Sequence, residues 1–222
     1  MVYLVKFYKH PLKTTHSLSD APVQLLESIC LRDGEMELLP FHQERMNRSR
    51  RQLFGLKRQI NLRKFFAEQS LPTQGYHKLR IVYDKGINAF TQEEYVPRTV
   101  RTLRVVELEP FDYRHKYLDR TELDAAFARR AGCDDIIMSW HTYITDTYYG
   151  NLALYDGQKW WTPVHPLLRG TRREKLCREG RLHATVIRVP DLKYFREVRI
   201  INAMLPLGES RPIRVKDVLL SE

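Results

Sequence analysis

The residues Gly170-Thr171-Arg172-Arg173 stand where a loop gives way to a helix, and together they could hold a phosphate. The first amides of a helix have no intrahelical acceptor, and a hydroxyl with two guanidinium groups adds donors suited to an anion. A Gly-Thr pair in that place is first of all an ordinary helix cap, and the motif alone favours that reading. Other chemistries find less support. The eight histidines (10, 16, 42, 77, 115, 141, 165 and 183) include no HxH, HExxH or HxxxH pair, which argues against a metal centre. Cys30, Cys133 and Cys177 form no CxxC and point to neither a zinc site nor a disulfide scaffold; they fit a reducing, cytoplasmic setting. No residue near Cys30 in sequence activates it as a nucleophile. A GxSxG elbow, a Walker loop and GxGxxG are all absent.

A helix start of this kind needs a scaffold, and the hydrophobic pattern supplies an α+β one. Residues 3–8 alternate in strand fashion, and 23–31 with 35–39 predict a hairpin about Asp33-Gly34. Pro40 precedes the first of two amphipathic helices expected on either side of Gly55. Strands are predicted over 78–83, 90–96 and 102–108. The second half predicts a helix over about 119–131, strands over 135–140, 143–149, 151–155 and 159–162, and a helix over 171–179. A strand over 185–189, a short helix from Asp191 to Phe195 and an extended run over 198–203 follow. The pattern divides into two lobes, residues 1–110 and 111–222, with a site expected between them.

Composition narrows the partners. The 222 residues carry 37 Lys and Arg against 27 Asp and Glu, a net charge of +10. A 43% hydrophobic content excludes wholesale disorder. No apolar run approaches the roughly 20 residues of a membrane helix, and the N-terminus meets charge at Lys6 without a small-residue cleavage site. Neither a membrane partner nor a signal peptide is expected. The positive charge invites a nucleic-acid reading, yet zinc-finger spacing, an RNP-type strand and a basic zipper are all missing. The charges between Arg45 and Lys64 then line a solvated helix face, and no nucleic-acid partner is expected.

An ordered set of short motifs takes the reading further. His115-Lys116-Tyr117-Leu118-Asp119-Arg120, followed by Ala131-Gly132-Cys133-Asp134-Asp135-Ile136-Ile137, resembles the catalytic-lysine segment of the class IV aminotransferases. The run Tyr143-Ile144-Thr145-Asp146-Thr147-Tyr148-Tyr149-Gly150-Asn151-Leu152 is similar to the family's V-T-E-x4-N-[IL]-F. Trp161-Thr162-Pro163 resembles its Y-T-P, and Gly170-Thr171-Arg172-Arg173 its G-[IV]-T-R. Upstream, Leu26-Glu27-Ser28-Ile29 with Asp33-Gly34 resembles F-E-T-[IL]-R and D-G, and His42-Gln43-Glu44-Arg45-Met46 the H-x-x-R-L helix. Ile201-Asn202-Ala203-Met204-Leu205-Pro206 is similar to C-N-A-L-M-P of the aminodeoxychorismate lyase branch. Each motif is loose alone; their order over residues 23 to 208 is specific.

The resemblance implies fold type IV, like D-amino acid aminotransferase, with a small N-terminal α/β lobe and a larger β-barrel-like C-terminal lobe. It implies pyridoxal 5'-phosphate as cofactor, held covalently by Lys116, which then moves the proton at the reacting carbon. Asp146 would pair with the pyridinium nitrogen, although the family has the longer glutamate there. Arg45, the amides around Thr171 and Arg172, and the turn at Asn202 and Ala203 would hold the phosphate. Ser28 falls where a threonine assists proton transfer, and Arg172 where a threonine is common. The implied substrate is a small anionic amine, 4-amino-4-deoxychorismate, converted to 4-aminobenzoate and pyruvate, with Arg80, Arg98 or Arg114 meeting its carboxylates. Transamination of a D- or branched-chain amino acid is the alternative, and a non-enzymatic basic binding protein the third reading. Homodimers are common in the family and are expected here.

Overall fold

The computed structural model describes residues 22–109 and 111–220. The strand expected over 3–8, with His10 and His16, lies outside the described residues.

The first sheet grows from the predicted hairpin. β1 (Leu25–Arg32) turns at Asp33 and Gly34, both with positive φ (47° and 81°), into the two-residue β2 (Glu35–Met36). β2 stops short of the predicted 35–39 because Leu38 turns left-handed (φ 60°) and starts α1 (Leu39–Phe54), with Pro40 inside its first turn. Gly55, also left-handed, ends α1. The next helix, α2 (Leu62–Ala67), waits for Asn61, whose side chain accepts from Lys64 N at 2.9 Å. β3 (Tyr76–Tyr83) and β4 (Ile87–Glu94) complete an antiparallel sheet of order β2-β1-β3-β4.

Register then decides which residues face the core. Leu25, Glu27 and Ile29 of β1 lie opposite Tyr83, Ile81 and Leu79 of β3, and this face is fully buried with Met46 of α1. The other face carries the row Ser28, Arg80 and Thr91, one residue from each of three strands.

β5 (Leu103–Glu107) belongs to the second sheet, parallel to β6 (Asp135–Trp140), with α3 (Thr121–Ala128) in the connection between them. The change of sheet therefore falls between Glu94 and Leu103, upstream of the division at 110. β7 (Tyr143–Thr147), β8 (Asn151–Tyr155) and β9 (Trp160–Pro163) continue antiparallel from β6. α4 (Thr171–Arg178) leads to β10 (His183–Thr185), parallel to β9. The predicted strand over 185–189 is thus displaced towards the N-terminus, and residues 189–194 form a 3-10 turn in which Asp191 accepts from Arg188 N (2.8 Å). β11 (Glu197–Ile201) pairs with β8 and with β12 (Ile213–Arg214), and β13 (Val218–Leu219) closes on β5. Leu103, Ile137, Leu152, Leu154, Val198 and Ile200 form the core of this sheet. Among the described residues no helix is long and apolar enough to cross a membrane.

Candidate active site

A cavity of about 600 Å³ lies between the two sheets, and Lys116, Ser28, Arg45, Asp146, Thr171, Asn202 and Ala203 all line it. Arg172 does not.

Lys116 is placed by β1. Leu26 N donates to Lys116 O (2.8 Å) and Leu118 N to Gln24 O (2.9 Å), so the segment before α3 runs beside the start of the first sheet. Its ammonium is pushed down to about 7, mainly by burial and then by the charges of Arg45 and Arg120; Glu27 opposes the shift. Near neutrality a large share of Lys116 is a free amine and hence a nucleophile.

Asp146 faces in from β7 and is buried. Asn151 Nδ2 donates to its Oδ1 (2.7 Å) and Leu168 N to its Oδ2 (2.9 Å). Burial outweighs these bonds and raises the carboxyl to about 7. A cationic N–H donor placed against it would restore the carboxylate. Asn151 also donates to Leu168 O (2.8 Å), so it carries the carboxylate and its loop together. That is why Gly170 must be glycine: a Cβ there would meet Asn151 Oδ1 at 2.1 Å.

The start of α4 keeps its amides free. Glu174 N makes the first helical bond, to Gly170 O (2.9 Å), and the amides of Thr171, Arg172 and Arg173 have no acceptor among the described residues. Gly170 makes no side-chain cap.

Arg45 reaches the cavity from α1 but is anchored behind it. Its Nε donates to Glu27 Oε1 (2.9 Å) and its Nη2 to Glu27 Oε2 (2.5 Å), both groups buried. Nη1 has no partner among the described residues. A carboxylate only accepts, so the 2.6 Å contact of His42 Nδ1 with Glu27 Oε2 puts the imidazole proton on Nδ1. Burial lowers the His42 pKa and leaves Nε2 to accept from Thr171 Oγ1 (3.4 Å). Glu27 is held down to about 2 against its own burial, by Arg45 and by the His42 bond. The sequence motifs contain Glu27 and His42 without revealing this network. Its only local signal is a carboxylate on the buried alternation of β1.

Arg172 has a different task from the one its sequence position suggests. It pairs with Glu37, and its Nη2 donates to Ala203 O (2.9 Å), its Nε to Asn202 O (3.4 Å). Its guanidinium braces the 202–203 turn from behind; only its amide belongs to the helix start. Asn202 shapes that turn by accepting from the amides of Met204 and Leu205, both at 2.9 Å.

Of the three arginines considered for carboxylates, Arg80 and Arg98 line the cavity and Arg114 does not. Arg114 is turned to solvent and paired with Asp112 at 2.7 Å. Cys30 is a buried thiol pushed up to about 11, first by desolvation and then by Glu37, so it is no nucleophile at neutral pH.

Fold and site together define a two-sheet enzyme built around a nucleophilic lysine with a buried carboxylate and a helix start facing the same space. Residues 24–209 match the family model for amino-transferase class IV, and the chain belongs to that family of pyridoxal-phosphate enzymes. An uncharacterized protein of Haemophilus influenzae (strain ATCC 51907 / DSM 11121 / KW20 / Rd) is 36% identical over 183 residues, 81% of this chain and 97% of its own. The structure of a candidate 4-amino-4-deoxychorismate lyase from Haemophilus somnus 129PT superposes with a TM-score of 0.78 at 30% identity, covering 84% of this chain and 99% of that one. A hypothetical aminotransferase from Mycobacterium tuberculosis in its PLP-bound form shares the fold (TM-score 0.69, 19% identity, 89% and 81% coverage). The fold is that of the fold type IV enzymes. The cavity fits the family's cofactor in two observable respects: among the described residues the carboxylate of Asp146 has no full cationic partner, and three helix amides lack acceptors.

Proposed function

We propose that this enzyme binds pyridoxal phosphate and acts as a lyase on 4-amino-4-deoxychorismate, releasing 4-aminobenzoate and pyruvate, a step of folate synthesis. The observation that carries the reading is the charge around Lys116: an amine-reactive lysine shares its cavity with the unpaired guanidinium groups of Arg80 and Arg98. An amine bearing two carboxylates complements that arrangement. The lyase likeness of the Haemophilus somnus protein, which this chain spans almost end to end, agrees with it.

Bound pyridoxal phosphate supplies the electron sink for the carbon that carries the substrate amine. Asp146, anchored by Asn151 and Leu168 N, would hold the cofactor's ring nitrogen in its protonated form. Arg45 Nη1 and the amides of Thr171, Arg172 and Arg173 would hold the phosphate. Lys116 Nζ, already close to half neutral at pH 7, takes the proton from the amine-bearing carbon. The enolpyruvyl group leaves with the C–O electron pair and takes up a proton to become pyruvate, while the ring becomes aromatic. Ser28 lies on the cavity floor beside Arg80, where its hydroxyl assists the proton transfer.

Incubating the holoenzyme with 4-amino-4-deoxychorismate and no 2-oxo acid should yield 4-aminobenzoate and pyruvate in equal amounts. Turnover only in the presence of a 2-oxo acid would replace this reading with a class IV transaminase. Failure of the purified protein to take up pyridoxal phosphate would remove both. The reading includes a homodimer, since Val96 and Tyr149 at the cavity mouth expose apolar surface (78% and 47%) that a second copy would cover. A single-chain mass by light scattering would count against it.

A further inference from the structure

The geometry points to Arg98 as the residue that reads a carboxylate at the mouth of the cavity and sets a preference for amines carrying two carboxylates over amines carrying one. This inference rests on the amine chemistry proposed above for the same cavity.

Arg98 lies on the segment that crosses from β4 to β5, and that segment is pinned. Asp134 Oδ2 accepts from Arg101 N (2.8 Å), Thr102 N (3.0 Å) and Thr102 Oγ1 (3.1 Å). The Arg98 guanidinium is held in turn: it lies 4.6 Å over the Tyr149 ring and 5.6 Å from the Phe127 ring, and its Nη2 donates to Asp134 O (3.2 Å). Phe127 is itself stacked on Tyr148 at 4.3 Å, so the platform is a packed group of rings rather than one mobile side chain.

A guanidinium stacked on an aromatic face keeps its in-plane N–H donors free, and those donors match the two oxygens of a carboxylate. Among the described residues no carboxylate pairs with Arg98. A surface arginine normally loses side-chain freedom on binding; Arg98 has lost much of it beforehand. The cations that depress Lys116 are Arg45, Arg120 and Arg80, whereas the charge of Arg98 acts on Asp135 and Tyr95. Arg80 stands on β3 opposite Ser28 and Thr91, and Arg98 lies over Tyr149 against Asp134 O, so the two line the cavity from different elements and a ligand with two carboxylates can use both.

The test compares 5-aminoisophthalate with 3-aminobenzoate, which differ by one carboxylate, in binding to the pyridoxal-phosphate-loaded protein by calorimetry. Wild type should prefer the dicarboxylate by about tenfold, the usual worth of one charge-assisted pair. Arg98→Ala should cut that preference to below about threefold, with Arg98→Lys between, and leave the visible absorption of the bound cofactor unchanged. Arg98→Gln serves if Arg98→Ala folds poorly. A wild type without the preference, an Arg98→Ala protein that keeps it, or equal weakening of both ligands would overturn the inference. An Arg98-dependent preference in a protein that forms no 4-aminobenzoate would instead overturn the lyase reading and leave this one standing.

Discussion

The two sides of the cavity treat positive charge in opposite ways. On the α1 side, Arg45 is met by Glu27 through two hydrogen bonds, with His42 completing the set, and all three are buried. Arg172, behind the neighbouring turn, is met by Glu37. On the sheet floor and at the mouth, Arg80 and Arg98 form no salt bridge to a carboxylate among the described residues. The difference separates two uses of one residue type. Burying a full positive charge is costly, and Glu27 and Glu37 offset that cost for Arg45 and Arg172. A half-exposed cation in a cavity can stay unpaired and await an anionic ligand.

Five substitutions test that division. The largest effect belongs to Lys116→Ala, which should abolish turnover and the visible band of the reconstituted protein; residual turnover within about tenfold of wild type would refute its role. Next comes Glu27→Gln. Leaving Arg45 buried without its carboxylate should cost about 3–5 kcal/mol, read by urea unfolding. The same change removes a field that raises the Lys116 pKa, so the pH at which the lysine becomes reactive should move below about 7.

The pH dependence of the cofactor-free protein is smaller in scale and has two arms. Asp146 is raised from 3.8 to about 7 in the folded state, so the folded protein binds its proton more tightly than the unfolded chain. Its contribution is complete below about pH 4 and is lost as pH rises to 7. Lys116 is lowered from 10.5 to about 7, so its contribution is complete above 10.5 and is lost as pH falls to 7. Together they place a stability minimum near neutrality, each arm worth roughly 1–4 kcal/mol. Asp146→Asn should flatten the acid arm and Lys116→Met the alkaline one. A protein most stable at pH 7 without cofactor would contradict both.

Much of this arrangement was legible in the residue pattern, and what was not had physical causes. β6 and β8 were predicted to the residue because continuous apolar runs between turn signals leave little freedom. The ordered motifs bring together Lys116, Asp146 and Thr171, which line one cavity although Lys116 and Thr171 stand 55 positions apart. For Arg172 the motif records a position and not a side-chain direction: its amide lies in the first turn of α4, while Glu37, just after β2, turns the guanidinium away. β5 falls within residues 1–110 yet pairs with β6, because strand pairing across a sheet is non-local and nothing within 102–108 specifies a partner at 135–139. The Glu27 network escaped for the same reason. Its acid is on β1, its base on α1, and neither announces the other.

The smallest effect is the most discriminating, because it concerns a pair that looks like Glu27–Arg45 on paper. Lys78 and Glu93 form an ion pair on the same floor as Arg80, one register step along the sheet, but Glu93 is largely exposed (58% for its side chain). Water already screens both charges, so Glu93→Gln should change stability by less than about 1 kcal/mol, against several for Glu27→Gln. Its consequence should appear in binding instead. With Glu93 neutral, the charge of Lys78 is released beside Arg80, and carboxylate ligands such as 3-aminobenzoate should bind about two- to fivefold tighter, an advantage that fades as salt is raised. If Glu93→Gln destabilised the protein as much as Glu27→Gln, the distinction between charges that hold the fold and charges that await a ligand would not describe this cavity.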